Sequence, residues 1–164
     1  MKLKPKLISN LEKAIHETLP GKIAHAEMMV RPFYNLKKHI NPRHASVLIL
    51  LFPENNEWHF FLTKRTKKVK NHKGQVSLPG GSVEDHETFQ TTAIRETYEE
   101  IGVQQNNIKI IGGLTSLFVP VSGYEIHPFI GWISYKPKLI IQDFEVSKVT
   151  QNDYYNPMKH KYNV

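Results

Sequence analysis

The chain of 164 residues contains no cysteine. That excludes disulfides and thiolate metal ligands, and it suits a reducing compartment, so a cytoplasmic location is the expectation. Nine histidines are present, but none stands in a spacing that suggests a zinc site, and no cysteine can complete one. No apolar run approaches the roughly 20 residues of a membrane-spanning helix. The longest, Ser46 to Phe52, reads as a buried strand. The segment Met1 to Leu19 is basic, but it carries Glu12 and Glu17 and lacks an apolar h-region, so it does not read as a signal or transit peptide. No repeat or low-complexity tract is evident. Acidic residues are the minority, 15 against 22 Lys and Arg, for a net charge of +7. Such a balance favours polyanionic partners: a cofactor, a nucleotide or RNA. The length fits one domain able to bury roughly two-thirds of its unfolded surface.

Scarce as they are, the carboxylates are concentrated. Gly80 and Gly81 form a Gly-rich turn that leads to Arg95-Glu96-Thr97-Tyr98-Glu99-Glu100 and then Ile101-Gly102-Val103. On a helix Glu96, Glu99 and Glu100 stand at i, i+3 and i+4 and crowd one face. Like charges at that spacing repel, and folding alone does not ask for them. A hard divalent cation does, because it is held by carboxylate oxygens.

The other face reads as core. Phe89, Ala93, Ile94 and Ile101 recur at about helical spacing, with Thr97 filling a gap, so this side should pack on a sheet. Asp85 and Thr88 are both N-cap candidates, and Gly102 stands where a helix stops in a left-handed turn. Arg95 can reach Glu99 one turn on, orienting that carboxylate and relieving repulsion. Without a ligand, the same residues would make an amphipathic surface helix with a solvated acidic face. That reading leaves the flanking glycines unexplained.

The spacing resembles the Nudix box. Gly81 is followed after five residues by Glu87, after seven more by Arg95-Glu96, and then by Glu99-Glu100 and Gly102-Val103. One fixed position departs: Thr97 replaces an aliphatic residue. The resemblance covers about residues 45–150. It implies an α/β (α+β) fold, an α/β/α sandwich on a mixed sheet, and metal-assisted hydrolysis of a diphosphate with Mg²⁺ or Mn²⁺. It further implies Glu96, Glu99, Glu100 and the Gly80 carbonyl as metal ligands, with Glu96, Glu99 and Arg95 as the catalytic group. Glu87 matches the box without a fixed role. Family members often add a late-loop glutamate as general base, for which Glu125, Asp143 and Glu145 are the candidates.

The run from Phe61 to Gly81 narrows the substrate. Phe61-Leu62-Thr63-Lys64-Arg65, then Lys70 and Gly74, then Leu78-Pro79-Gly80-Gly81 is similar to the signature of the coenzyme A diphosphatase branch. Phe61, Thr66, Lys70 and Leu78 depart from it. Lys70 keeps the charge of the expected Arg but loses its two-pronged fork. The resemblance implies that Arg65, Lys64, Lys70, His72 and Gly81 receive substrate. Six cations and no acid lie between Lys64 and Lys73, which suits a ligand bearing a diphosphate and a 3′-phosphate. The same run would serve as a solvated loop. It lacks the interleaved aromatics of a single-strand nucleic-acid site. Two other functions stay open: a Nudix diphosphatase acting on ADP-ribose or another nucleotide derivative, and a weakly catalytic module binding RNA or protein.

Along the chain, residues 1–44 read as a helix (Lys6 to Leu19), ended by Pro20-Gly21, and a linker to Pro42. Residues 45–150 form the catalytic domain and 151–164 a polar tail. Pro53-Glu54-Asn55-Asn56 signals a hairpin between strands Ala45–Phe52 and Glu57–Thr63. Further strands are expected at Val76–Leu78, Ile108–Leu114, Ser116–Val119, His127–Tyr135, Lys138–Gln142 and Glu145–Val149. Thr150 to Val164 is interrupted by Pro157 and does not read as the family's closing C-terminal helix, which is therefore missing or short. A sheet face left bare would be an apolar patch favouring a homodimer.

Overall fold

The computed structural model describes residues 5–27, 41–66, 74–142, 144 and 146–153. Its centre is strand β1, Arg43–Glu54. Ser46, Leu48, Leu50 and Phe52 are fully buried on one side of it, while Leu51 is buried on the other. A strand with both faces covered must be apolar almost throughout, and this one is. Asn55 and Asn56 adopt φ of 49° and 63°. Asparagine tolerates that left-handed region, so the chain reverses there into β2, Glu57–Arg65, with Leu51 opposite Phe60.

Short strands β3 (Val76–Ser77) and β4 (Gly80–Ser82) pair with β2 and β1 respectively. Next come β5 (Lys109–Gly113), β6 (Leu117–Val119) and β7 (Tyr124–Trp132). Strand β7 runs parallel to β1 from Arg43 opposite Tyr124 to Leu51 opposite Trp132, and takes β5 and β6 antiparallel on its far edge. Strand β8 (Val146–Asp153) lies antiparallel to β2. The sheet is mixed and the class is α+β, as the sequence implied.

Helix α3, Phe89–Ile101, lies on one face, where Ala93 and Ile101 join Leu48, Leu50, Phe52 and Phe61 in the main core. The opposite face is covered by α1, Lys6–His16. Its Ile8 is fully buried with Leu51, Ile111 and Trp132. Helix and strand approach closely because Gly112 has no side chain: a Cβ there would run into the Ile15 Cγ2. The face that raised the expectation of a bare patch thus carries a helix from the other end of the chain. No helix among the described residues is long and apolar enough to cross a membrane.

Three expectations are corrected. Gly21–Glu27 forms a short helix, α2, within the stretch expected to be linker. Lys138–Gln142 is not a strand. Its amides serve α3 instead, Ile140 N donating to the Ile101 carbonyl at 3.0 Å and Gln142 N to that of Glu100 at 3.2 Å. They satisfy carbonyls that a helix end leaves open. Strand β7 begins before His127 and ends at Trp132, because pairing with β1 starts at Tyr124. The segments 28–40 and 154–164, hence most of the linker and tail, lie outside the described residues.

Candidate active site

Helix α3 is delimited as its sequence asks. Of the two N-cap candidates, Thr88 is the cap: its hydroxyl accepts from Thr91 N at 3.1 Å, and the Thr91 hydroxyl accepts from Thr88 N at 2.9 Å. Gly102 closes the helix with φ of 74°, its N–H donating to the Tyr98 carbonyl. Thr97, the departure from the aliphatic pattern, is fully buried. Its hydroxyl donates to the Ala93 carbonyl at 2.7 Å, so this polar group is not stranded in the core.

On the polar side, Arg95 organises the carboxylates. It grips Glu87 with two prongs, Nε to Oε1 at 2.7 Å and Nη2 to Oε2 at 3.0 Å. Its Nη1 donates to Glu96 Oε1 and to Glu99 Oε2, each at 2.9 Å, and Nη2 reaches the Ser82 carbonyl at 3.2 Å. The bond from Arg95 is the main reason the Glu87 carboxyl is held down at about 2, against the opposing effect of burial. The Thr92 hydroxyl at 2.8 Å and the Glu84 amide at 3.2 Å add to it. Glu87, without a role in the sequence reading, is the anchor that fixes Arg95.

Glu100 is buried, and Gly80 N donates to its Oε2 at 3.2 Å. The Gly-Gly turn therefore meets this carboxylate through an amide. Gly81 lies against the Glu96 carboxylate so closely that any side chain at 81 would collide with it. The spacing from Gly81 to Glu96 in the sequence thus has a steric cause.

Glu96 and Glu100 open into a cleft of about 670 Å³ whose wall also includes Gly80, Gly81, Arg43, Arg65 and Tyr124. Ala45, Val47 and Ile126 form its apolar part. By strand alternation these belong to the sheet face opposite α3. The carboxylates reach that cleft beside the two glycines of β4.

The cleft gathers only some of the expected residues. Arg65 is in its wall, and the Arg65 Nε is buried with no hydrogen-bond partner among the described residues. Lys64, its neighbour on β2, is exposed and is not in the wall. Glu99 stays at the rim, half-exposed, tied to Arg95. Glu125 is also apart, on the α3 face of β7, its Oε1 taken by the Ser116 hydroxyl at 2.7 Å. It is not among the residues of the cleft wall. Lys70, His72, Asp143 and Glu145 lie outside the described residues.

The sequence reading missed Arg43 and Tyr124. The Arg43 guanidinium lies 4.2 Å from the Tyr124 ring centroid and donates to the Ser122 carbonyl at 2.8 Å, while the Tyr124 hydroxyl meets Ser82 Oγ at 3.0 Å. No local motif links residues so distant in sequence. Only the parallel β1–β7 register does.

The NUDIX domain profile matches residues 42–150, the segment that carries the sheet, the helix and the carboxylates. The chain belongs to the Nudix family. Nudix hydrolase 3 of Caenorhabditis elegans is 36% identical over 107 residues, covering 63% of this chain and 45% of that protein. Peroxisomal coenzyme A diphosphatase ndx-8 of the same organism is 34% identical over 108 residues, covering 64% of this chain and 46% of the relative. The chain spans about half the length of these curated relatives. Among solved structures, a C. elegans Ap4A hydrolase binary complex superposes with a TM-score of 0.59 at 17% identity, over 68% of this chain and 80% of that one. That likeness speaks for the Nudix fold.

Nudix hydrolases generally use divalent metal ions, and the donor set here fits one. Glu87, Glu96 and Glu99 share a single guanidinium, and Glu100 adds a fourth carboxylate beside the turn. A net-negative group of oxygen donors suits a hard cation.

Proposed function

We propose that this Nudix chain hydrolyses the diphosphate of coenzyme A or acyl-coenzyme A to 3′,5′-ADP and the corresponding (acyl-)phosphopantetheine. The observation that carries the reading is one cleft walled by the Glu96 and Glu100 carboxylates and by the Arg43 and Arg65 guanidiniums. The acidic part of its lining suits a cation. Fixed positive charge suits phosphates, and the buried Arg65 Nε, without a partner among the described residues, is a donor that asks for an acceptor. The similarity of Phe61–Gly81 to the coenzyme A diphosphatase signature, and the relative ndx-8, support this substrate over other diphosphates.

Glu96, Glu99 and Glu100, with the Gly80 carbonyl, would hold Mg²⁺ or Mn²⁺. When bound, the ion polarises phosphoryl oxygens and lowers the pKa of coordinated water. Arg95 keeps the Glu96 and Glu99 carboxylates in register. Glu96, besides holding the ion, takes a proton from the attacking water in this reading. That water adds to one phosphorus, and the P–O–P bridge breaks with the second phosphate as leaving group. Arg65 and Gly81 receive the substrate, joined by Lys70 and His72 from the basic loop and with Lys64 contributing only at longer range.

Departures from the signature at Lys70 and Leu78 favour one second reading, hydrolysis of ADP-ribose or another nucleoside diphosphate derivative. Product analysis with Mg²⁺ or Mn²⁺ separates them. Release of 3′,5′-ADP from coenzyme A, with little turnover of dephospho-coenzyme A or ADP-ribose, is the expected result. Preferential cleavage of ADP-ribose would replace the substrate. No cleavage of any of them would point to a binding module for RNA or protein.

A further inference from the structure

A separate cluster lies on the other side of the sheet. His44 on β1 is directly opposite Glu125 on β7, and His127 follows two positions on, so alternation puts all three side chains on the α3 face. His44 Nδ1 is 3.1 Å from His127 Nε2 and 3.9 Å from Glu125 Oε2, and the three ligand atoms lie within 4.8 Å of one another. We propose that His44, Glu125 and His127 form a second metal site, selective for a transition metal such as Zn²⁺ and independent of the cleft.

The distances suit such an ion. Tetrahedral Zn²⁺ with bonds near 2.0–2.2 Å sets its ligands about 3.4 Å apart, and the two measured separations bracket that value. A hydrogen bond between the imidazoles would also give 3.1 Å, but it would not explain how the surrounding groups are arranged. Ser116 Oγ donates to Glu125 Oε1 at 2.7 Å, which holds the carboxylate with Oε2 toward His44. The His127 ring lies flat on Phe89, 3.6 Å between centroids and 7° between planes, so its orientation is fixed. Outer contacts of this kind orient metal ligands.

Two imidazoles and one carboxylate are a borderline donor set that selects Zn²⁺ over Mg²⁺, the reverse of the all-oxygen set on α3. Three ligands at a half-exposed site leave the fourth position to water. The ion would bridge β1 to β7 and, through Phe89, brace the first turn of the helix that carries the cleft carboxylates. Nothing in this depends on which diphosphate the cleft accepts.

The test uses the tag-free chain of 164 residues, because any of its nine histidines could bind weakly. With the cleft silenced by Glu96→Gln and Glu100→Gln, titration with Co²⁺ should saturate at one equivalent. It should give an intense visible ligand-field band of low coordination number that Zn²⁺ abolishes. In unsubstituted protein with excess Mg²⁺, Zn²⁺ should raise Tm, since a ligand that binds only the native state stabilises it. His44→Ala, at an exposed position, and Glu125→Gln should each weaken binding by about tenfold or more and remove the Tm rise. A spectrum like that of aqueous Co²⁺ would overturn the proposal. So would equal affinity in the folded His44→Ala and Glu125→Gln variants.

Discussion

Arg95 holds Glu87 in a two-pronged ion pair, with Nε and Nη2 of the one on Oε1 and Oε2 of the other at 2.7 and 3.0 Å. They stand eight positions apart, so the pair joins the loop before α3 to the middle of the helix. The remaining Arg95 nitrogen is then free to span Glu96 and Glu99.

Glu87→Gln should destabilise the protein by about 1.5–3 kcal/mol near neutral pH, the range for hydrogen bonds to a charged group. The pH dependence has a definite sign. The folded carboxyl sits at about 2, below its ordinary 4.5. Its contribution is therefore complete above about pH 4.5 and is lost as pH falls toward 2. Denaturant melts of both proteins should converge over that window. A gap that persists unchanged at pH 2 would mean that packing, not charge, is what Glu87 supplies.

This part of the site was legible in sequence because its determinants are local. Thr88, Gly102 and the i, i+3, i+4 carboxylates act within one or two turns, and Asn55-Asn56 makes its hairpin without outside help. Contacts between distant segments were not legible. Arg43 meets Tyr124, and His44 meets Glu125, only because β1 and β7 happen to be parallel in one register. Neighbours were separated too: Arg65 reached the cleft and Lys64 did not. Lys138–Gln142 has the composition of a strand, yet its amides cap α3. Backbone demand from a helix end overrode side-chain preference.

The three helix carboxylates should not be equivalent. Glu96 and Glu100 are in the cleft wall, while Glu99 is half-exposed on the Arg95 side. Glu96→Gln and Glu100→Gln should each lower kcat by at least ~10²-fold, the scale for losing a charged group at a reacting centre. Glu99→Gln, which removes the outermost of the three carboxylates, should cost about tenfold. Gln keeps an acceptor for Gly80 N, so circular dichroism and Tm should stay close to the parent. Equal losses at all three positions would mean that Glu99 holds the ion as firmly as the two carboxylates of the cleft wall.

Ile8 ties α1 to the sheet. It is fully buried with Leu51, Ile111 and Trp132, so Ile8→Ala should cost about 2–5 kcal/mol through lost burial and the cavity left behind. Removal of α1 should expose that apolar face and promote self-association, measurable by sedimentation. Stability unchanged within 0.5 kcal/mol or so would show that the helix is not needed to cover the sheet.

Arg65 and Lys64 offer the sharpest test of the cleft, because they are adjacent in sequence and only one lines it. A residue that binds a remote phosphate equally in the ground and transition states changes KM and leaves kcat alone. Arg65→Lys keeps the charge but loses the planar fork, and should raise KM for coenzyme A by about tenfold, the worth of one such interaction near 1.4 kcal/mol. Lys64→Ala should remain near the parent value. If kcat fell instead with KM unchanged, Arg65 would be contacting the phosphoryl group that is attacked. If Lys64→Ala matched Arg65→Lys, the basic stretch would act as a diffuse field over the cleft mouth, and raising the salt concentration would erase both effects together.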